Sequence, residues 1–364
     1  MTRPSESAPL IGVIPPYVLD RLAQHADARV SMPAVKTLII DQQQRGLREM
    51  AEQPPRARLA EPRPNAAAGT PQRAVHTAEN GTTLPGRLVR AEGAPASGDA
   101  AVDEAYAHLG ATYKLFWNIY HRDSIDGSGL PLVGSVHYGE DYDNAFWNGA
   151  QMVFGDGDGE VFNRFTVAVD IIGHELTHGV IDTEAALAYQ GQSGALNESL
   201  CDVFGALVKQ YALGQNAREA DWLVGQGLFL PKVQARGLRS MAEPGTAYDD
   251  PVLGKDPQPA HMSAYVDTPR DNGGVHINSG IPNRAFYLAA TALDGPAWAV
   301  AGRIWYDTLC DKRLRHDADF AAFARLTVDI ARTRHDTTVH KAVASAWAAV
   351  GVLSLIHISE PTRR

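Results

Sequence analysis

The segment 174–178, His-Glu-Leu-Thr-His, constrains this chain more than any other part of its sequence. It lies in an apolar run over residues 165–181 that predicts a helix. Positions i and i+4 share one face of a helix, so His174 and His178 can both bind one Zn²⁺ ion. Glu175 would then lie beside the metal, where its carboxylate can take a proton from a metal-bound water. The segment therefore predicts a zinc hydrolase, and the simpler alternative is two surface histidines beside a salt-bridging glutamate.

A second predicted helix supplies a third ligand. Glu198 follows His178 after nineteen intervening residues and leads into a long apolar stretch. Catalytic zinc takes three protein ligands and keeps a fourth position for water, so His174, His178 and Glu198 complete the set. Asp202, on the same helix face as Glu198, can accept the second ring N–H of one zinc histidine, and Asn197 can serve the other. The alternative is that both acids are ordinary solvated helix residues.

Six sequence blocks, in order, resemble the thermolysin family of zinc metalloproteases, and together they cover about residues 75–352. The blocks are 142–149, 155–159, 174–178, 194–199, 237–241 and 271–280. Zinc aminopeptidases share the two-His-plus-Glu ligand set. The Gly-x-Met-Glu-Asn stretch that holds a substrate amino terminus in them does not occur in this sequence. The resemblance therefore implies an endopeptidase.

The resemblance also implies which residues stabilise charge during peptide hydrolysis. Tyr189 and His276 match the family residues that donate to the oxyanion formed on the scissile carbonyl. Asp271 matches the carboxylate that orients and charges this histidine. Glu175 matches the general base, which later gives its proton to the leaving amine. Plain packing is the alternative for Tyr189.

Further matches concern the substrate. The family holds an extended peptide along an edge strand by backbone hydrogen bonds, and three residues match that strand: Asn144, Ala145 and Trp147. Arg239 matches a residue that bonds the substrate backbone, and Leu238 and Ile171 match walls of an adjoining apolar pocket. Core packing explains Phe162 and Phe165 equally well as pocket walls. The implied preference is for a large apolar residue just after the cut.

The paired calcium site of the family is predicted to be absent. Its acidic cage would draw on Asp170 and on a glutamate at the position that Lys209 occupies. An ammonium group cannot ligate Ca²⁺, but it can neutralise Asp170 instead. The segment 155–160 is rich in Gly and Asp but lacks the bidentate Glu of an EF-hand, so it is predicted to form a turn. The sequence leaves open whether a single calcium ion binds elsewhere in the protein.

Thr-, Val- and Tyr-rich segments with turn residues over 77–159 predict a β-rich part, and the pattern from about 165 to 352 predicts a helical part. Together with the resemblance they imply an α+β fold with a β-rich N-terminal domain, a helical C-terminal domain and the zinc site in the cleft between them. A chain of 364 residues with 45% hydrophobic residues can build two domains and an extension. Five segments are predicted: a short propeptide at 1–55, a linker with a processing site at 56–74, a β-rich catalytic part at 75–164, a helical part at 165–352, and a tail at 353–364 that resembles a translated sequencing adapter.

The first fifty residues carry their own pattern. Residues 14–19 open a predicted helix that covers 20–25, and a second apolar run covers 35–40. The Pro-Pro-Tyr start resembles the short propeptides of protealysin-like members of the family. This resemblance implies an intramolecular inhibitor that covers the cleft until a cut in 55–75 removes it, with a permanent docking segment as the alternative.

Charge and hydropathy argue against a nucleic acid or a membrane as partner, and the resemblance implies peptide or protein substrates and an intramolecular propeptide. The formal net charge of −9 argues against a nucleic-acid partner. No run of 18 apolar residues predicts a membrane span. The first 30 residues lack the basic start and apolar core of a signal peptide, so a bacterial-type protein is expected that is cytoplasmic or exported by another route. The two cysteines, Cys201 and Cys310, do not form a disulfide scaffold, and Cys201 is expected to be packing rather than a fourth ligand.

Two other functions stay open from the sequence. A non-catalytic zinc protein that binds peptides would be expected to lack Glu175 or His276, and both are present. A zinc aminopeptidase would need an acidic anchor for the substrate amine. A zinc endopeptidase made as a zymogen is the main prediction.

Overall fold

The computed structural model of the chain describes residues 11–50 and 68–354. The first ten residues, most of the predicted linker and the end of the tail lie outside the described residues, as does most of the interval predicted for processing. The proposed domain boundaries therefore stay predictions. The α+β architecture with two parts, one built on a sheet and one helical, is confirmed.

The N-terminal segment forms a short strand and two helices: β1 at Ile11–Gly12, α1 at Pro16–Ala23 and α2 at Ala28–Met50. The first helix begins earlier than predicted because Pro16 occupies its first turn, where a missing N–H is tolerated. Val18, Leu19 and Leu22 form its buried face. The apolar run over 35–40 lies within α2.

A six-stranded sheet forms the next part of the molecule. Its strands are β1 with β2 at Arg73–Thr77, β3 at Arg87–Ala91, β4 at Leu132–Val136, β5 at Ala145–Trp147 and β6 at Met152–Phe154, in the order β1-β5-β6-β4-β2-β3. The pairs β2–β4 and β4–β6 are parallel and the others are antiparallel. The N-terminal segment thus supplies an outer strand, beside β5.

A long helix, α3 at Ala100–Tyr120, interrupts the region that was predicted to be β-rich. Parallel strands need a crossover, and α3 lies between β2 and its parallel neighbour β4 in the chain. The Asp99 side chain caps α3 by accepting from the N–H groups of Ala101 and Val102. The sequence analysis weighed the Thr, Val and Tyr content of this region and missed the helix.

The rest of the chain is mainly helical. Its helices are α4 at Val169–Thr183, α5 at Gly191–Leu213, α6 at Asp271–Asn278, α7 at Gly280–Leu293, α8 at Ala301–Leu309, α9 at Phe320–Arg334 and α10 at Thr337–Ala349. Four two-residue strands lie between α5 and α6 and form two small sheets. These strands are β7 at Leu223–Val224, β8 at Arg239–Ser240, β9 at Asp249–Asp250 and β10 at Gly254–Lys255. Helices α9 and α10 are separate, because the Asp336 side chain accepts from the N–H groups of Thr338 and Val339 and caps a new helix start. No helix in the described ranges is long and apolar enough to cross a membrane.

Close packing of α4 against α5 places the His-Glu-Leu-Thr-His segment of α4 beside the segment of α5 that carries Glu198. A Cβ atom on Gly205 would lie 2.4 Å from the carbonyl oxygen of Asp170, and one on Gly173 would lie 3.0 Å from the Cα of Gly205. Both glycines therefore let the two helix backbones approach. Next to this close approach, His174 and His178 of α4 face Asp202 and Asn197 of α5.

Candidate active site

His174 and His178 lie one turn apart on α4, with ring centroids 4.9 Å apart and both side chains buried. Nδ1 of His174 bonds Oδ1 of Asp202 at 2.9 Å, and Nδ1 of His178 bonds Oδ1 of Asn197 at 2.8 Å. These contacts place the ring proton on Nδ1 and leave each Nε2 with a free lone pair. Burial lowers the pKa of His178 to about 3, which keeps this ring neutral.

Glu198 on α5 faces both free nitrogens. Its carboxylate oxygens lie 3.5 Å from Nε2 of His174 and 3.6 Å from Nε2 of His178. Both Nε2 atoms and Oε2 of Glu198 are buried and have no hydrogen-bond partner. Buried polar atoms without partners are costly, so three that converge on one point fit a cation. Two imidazoles and one carboxylate are a donor set that suits Zn²⁺.

Cys201 lies near this cluster but on its far side. Its sulfur is 3.1 Å from Nδ1 of His178, the nitrogen that already bonds Asn197, and not beside the free Nε2 atoms. His174, His178 and Cys201 are close enough to form a group that could hold a metal ion. Burial raises the pKa of the thiol well above its usual value, which disfavours the thiolate that would bind metal. Its expected role in packing agrees with this geometry.

Asp202 is the centre of a buried hydrogen-bond network behind His174. Arg239 donates from Nε and Nη2 to its two oxygens, at 2.8 Å each, and Nδ2 of Asn283 donates to Oδ2 at 2.8 Å. Burial acts to raise the pKa of Asp202, but Arg239 and His174 hold it well below its usual range. The sequence analysis named Asp202 and Arg239 separately and missed both their pairing and Asn283, which carries no motif signal of its own.

Glu175 contacts the edge strand. Its Oε2 accepts a hydrogen bond from the backbone N–H of Trp147 at 3.0 Å, and its side chain is buried. This contact ties α4 to β5 across the boundary between the helical part and the sheet. The predicted general base and the predicted substrate strand are therefore brought together.

Tyr189, His276 and Asp271 form a chain of contacts beside Glu198. Nδ1 of His276 bonds Oδ1 of Asp271 at 2.7 Å, and Nε2 of His276 lies 3.2 Å from the hydroxyl of Tyr189. That hydroxyl donates to Glu198. Burial disfavours a charged His276, but Asp271 and Glu198 outweigh it and raise the pKa of the imidazole. Tyr189 and His276 therefore lie beside Glu198, and Asp271 lies behind His276.

The loop that carries His276 has an unusual backbone. Asp271, Asn272, Gly273 and Gly274 have φ values of 52°, 50°, 84° and 74°, in the left-handed region. Asn272 donates from Nδ2 to the backbone carbonyl of Tyr189 at 3.1 Å, which links the two loops of this cluster. The sequence analysis missed this role of Asn272, although its Asn-Gly-Gly setting is typical of positive φ.

Comparison with known proteins decides the family. Residues 65–182 match the model of the thermolysin metallopeptidase catalytic domain, and residues 185–352 match that of its alpha-helical domain. The chain belongs to the thermolysin family of metallopeptidases. It is a metalloendopeptidase, and family membership favours this activity over the two alternatives that the sequence left open.

Relatives cover most of this thermolysin-family chain. An extracellular metalloprotease of Pectobacterium carotovorum subsp. carotovorum is 56% identical over 347 residues, which is 95% of this chain and 98% of that protein. A thermolysin of Alicyclobacillus acidocaldarius subsp. acidocaldarius is 39% identical over 76% of this chain and 50% of its own length. The structure of the precursor of protealysin, a metalloproteinase from Serratia proteamaculans, has 56% identity and a TM-score of 0.86, and covers 94% of this chain and 100% of that one.

The N-terminal segment of this metalloendopeptidase lies along its predicted substrate strand. The N–H of Val13 donates to the carbonyl of Ala145, and the N–H of Ile14 donates to Oδ1 of Asn144, each at 3.0 Å. Arg239 donates from Nη1 to the carbonyl of Val13 at 3.4 Å. Three of the predicted substrate-binding residues therefore hold backbone groups of the same chain.

The two predicted pocket walls lie near each other. A Cβ atom on Gly225 would lie 3.2 Å from Cβ of Leu238 and 3.4 Å from Cδ1 of Ile171. Both side chains are buried and belong to the same apolar cluster as Val13. Phe162 and Phe165 also belong to this cluster, with ring centroids 5.7 Å apart.

Helix α2 contacts the residues that precede β5. Asp41, which is only 5% exposed, accepts hydrogen bonds from the hydroxyl of Tyr142 at 2.6 Å and from Nδ2 of Asn144 at 3.0 Å. Thr37 accepts from the N–H of Asp143 at 2.9 Å. The amide of Asn144 is thereby oriented, with its nitrogen toward α2 and its oxygen toward Ile14.

Lys209 lies where the sequence analysis expected it to replace a calcium ligand. Its ammonium group is 2.9 Å and 3.0 Å from the oxygens of Asp221, 3.2 Å from the carbonyl of Leu223 and 3.6 Å from Oδ2 of Asp170. Burial raises the pKa of Asp170, and the charge of Lys209 opposes this rise. A cation of the protein itself thus occupies the space between these acids.

Proposed function

We propose that this chain is a zinc-dependent endopeptidase made as a zymogen, with zinc held by His174, His178 and Glu198. The observation that carries the proposal is the convergence of three buried donor atoms without partners, two Nε2 atoms and Oε2 of Glu198. Asp202 and Asn197 would fix the ring orientations of the two histidines from behind. Bound zinc would supply Lewis acidity and lower the pKa of a bound water.

The remaining side chains supply proton transfer and charge stabilisation. Glu175 would take a proton from the attacking water and give it to the leaving nitrogen. His276, charged and held by Asp271, and the hydroxyl of Tyr189 would donate to the oxyanion on the scissile carbonyl. Because these groups are buried and already oriented, they need little rearrangement when the charge develops.

The substrate would add a strand to the sheet at β5. Asn144, Ala145 and Trp147 offer the backbone and amide groups of an edge strand, and Arg239 offers a donor for a substrate carbonyl. Buried Leu238 and Ile171 support an apolar pocket beside Arg239. We therefore expect cleavage on the N-terminal side of large apolar residues.

The N-terminal segment would be the propeptide. It pairs with the strand that a substrate would use, so a peptide cannot bind there while β1 stays in place. The similarity to a protealysin precursor over nearly the whole chain supports this role. Residues 1–55 would form the propeptide and 56–74 the linker that is cut.

The site of action is proposed from the relatives. Two of them are named extracellular metalloproteases, which favours export over the cytoplasmic alternative. The substrates would be peptides or proteins outside the cell.

We also propose that the paired calcium site is absent, because Lys209 fills the space between Asp170 and Asp221.

The test uses Glu175→Gln in the full-length precursor. Loss of the general base should keep zinc bound and lower the hydrolysis of casein and of apolar peptides by about 10²–10⁴-fold. Glu243→Gln is the matched control, because Glu243 is exposed and outside the site. Zinc content by atomic absorption and cleavage sites by mass spectrometry give the two readouts. Turnover of Glu175→Gln at the rate of the unmodified enzyme would refute the assigned base.

A further inference from the structure

The segment that occupies the cleft runs in a defined direction and register. Ile11 pairs with Trp147 and Gly12 with Phe146 in an antiparallel ladder, and Val13 continues it by bonding Ala145. A strand in this position presents each of its peptide bonds to one fixed place in the cleft, because a shift by one residue would reverse its faces.

Two contacts of the predicted machinery locate one of these peptide bonds. Glu175 bonds the N–H of Trp147, which is the partner of Ile11. On the other side, Arg239 donates to the carbonyl of Val13 and also bonds Asp202, the partner of His174. The Gly12–Val13 peptide bond lies between these two contacts, one made by the proposed general base and one made by the residue that holds the partner of His174.

The side chains on either side of this bond fit the expected specificity. Val13 has 0% exposure and shares an apolar cluster with Leu238 and Ile171, as an apolar residue just after a cut would. Gly12 has no side chain to accommodate, and a Cβ atom there would lie 2.5 Å from Nδ2 of Asn144. In both respects the segment fits the cleft as a bound substrate would.

We propose that Gly12–Val13 is a cleavage site within the propeptide, hydrolysed by the active site of the same molecule. The C–N bond of Gly12–Val13 breaks and one water is consumed. Its oxygen becomes part of the new carboxylate of Gly12, and Glu175 transfers its proton to the nitrogen of Val13. This inference rests on the proposed endopeptidase function and adds a site outside the predicted linker.

The cut does not by itself open the cleft. Ile14, Val18, Leu19 and Leu22 remain buried, and Asp41 still holds Asn144. The product that begins at Val13 therefore stays docked through α1 and α2. Full activity needs the separate cut in the linker, so the molecule passes through a nicked but inhibited form.

The experiment follows the full-length precursor, purified with a chelator and started by adding Zn²⁺. Intact-mass spectrometry and labelling of new amino termini should show a species that begins at Val13 before the linker is cut. The rate should be independent of precursor concentration, as expected for an internal reaction. Precursor with Glu175→Gln should show no Val13 terminus.

Two variants make the assignment specific. Val13→Asp places a charge in an apolar pocket and should slow this cut at least about 10-fold, whereas Val13→Leu should preserve it. Thermal melting of each precursor checks that it is folded. Complete linker processing of the unmodified chain without any Val13 terminus would overturn the proposal while leaving the endopeptidase function intact. Failure to cut any peptide, including casein, would instead count against the function itself.

Discussion

At the residue scale, the predicted zinc site is supported by side chains that lie behind the three proposed ligands. Asp202 accepts four hydrogen bonds, from His174, twice from Arg239 and from Asn283. A carboxylate held by so many donors stays ionised and keeps its histidine in one tautomer. Metal affinity should therefore depend on Asn283, although it lies on another helix.

Asn283→Ala should weaken zinc binding about 10-fold, because partners of metal-binding histidines typically contribute 10–100-fold in affinity. The zinc dissociation constant, measured by competition with a chromogenic chelator, tests this. Asn118→Ala is the control, since the amide of Asn118 donates to the hydroxyl of Tyr211 at the surface of the protein. Equal affinities in the two variants would show that Asn283 has no positioning role.

His137 forms a second residue-scale feature, remote from the cleft. Its Nδ1 bonds Asp156 at 2.8 Å and its Nε2 bonds Asp99 at 2.9 Å, and these carboxylates raise its pKa to about 9 against the effect of burial. A raised folded-state pKa stabilises the protein below the unfolded value of about 6.5, and the benefit disappears as pH rises through about 9. Asp99 also caps α3, so the contact ties that helix to the sheet.

His137→Gln should lower the free energy of unfolding by about 1–2 kcal/mol at pH 6 and by little at pH 10, after allowance for partial exposure. Urea denaturation of the zinc-loaded Glu175→Gln protein, with and without the His137 change, measures this without self-digestion. A difference that is the same at both pH values would contradict the charge-based account.

At the scale of elements, α2 as well as β1 contacts the catalytic part beside the cleft. Asp41 is a buried carboxylate with two donors from the catalytic part, Tyr142 and Asn144. Hydrogen bonds to a charged group contribute more than neutral ones, about 1.5–3 kcal/mol each. The docking of the N-terminal segment therefore rests on a polar contact as well as on the apolar face of α1.

Asp41→Ala should weaken propeptide docking and speed conversion of the precursor about 10-fold or more. The rate of appearance of peptidase activity after zinc addition measures this. Lys36→Ala is a matched control on the same helix, because Lys36 makes only exposed ion pairs with Glu140 and Asp141. If the Asp41→Ala precursor converts at the same rate as the control, Asp41 does not contribute to inhibition.

At the scale of the whole molecule, an internal cation lies where the family's calcium pair is predicted to be absent. Lys209 on α5 lies between Asp170 on α4 and Asp221, which follows α5. Its two ion pairs therefore link α4 and α5, the helices that carry the three proposed zinc ligands. Removal of one partner of a buried pair is strongly destabilising, by about 3–5 kcal/mol, because the other charge stays buried.

A chelator that removes calcium but spares zinc should leave the melting temperature unchanged within about 2 °C, whereas Lys209→Ala should lower it by several degrees. Differential scanning calorimetry of the Glu175→Gln protein tests both. A large loss of stability on calcium removal would show that this chain retains the calcium pair.

The sequence by itself determined the chemistry of the centre. Spacing on a single helix places His174 and His178 on one face, and the same geometry relates Glu198 to Asp202, because helical periodicity is a local property. The family resemblance added Tyr189, His276 and the edge strand. The structure brings all of these together, although their individual roles stay predictions.

Only the tertiary structure decided how distant segments meet. The pairing of Ile11 with Trp147 and the contact of Asp41 with Asn144 each join residues more than 100 positions apart. Asn283 was missed for a related reason, because its contact with Asp202 joins α7 to α5. Such contacts depend on which surfaces pack together, and packing is decided by the burial of whole elements and not by the local pattern of any one segment.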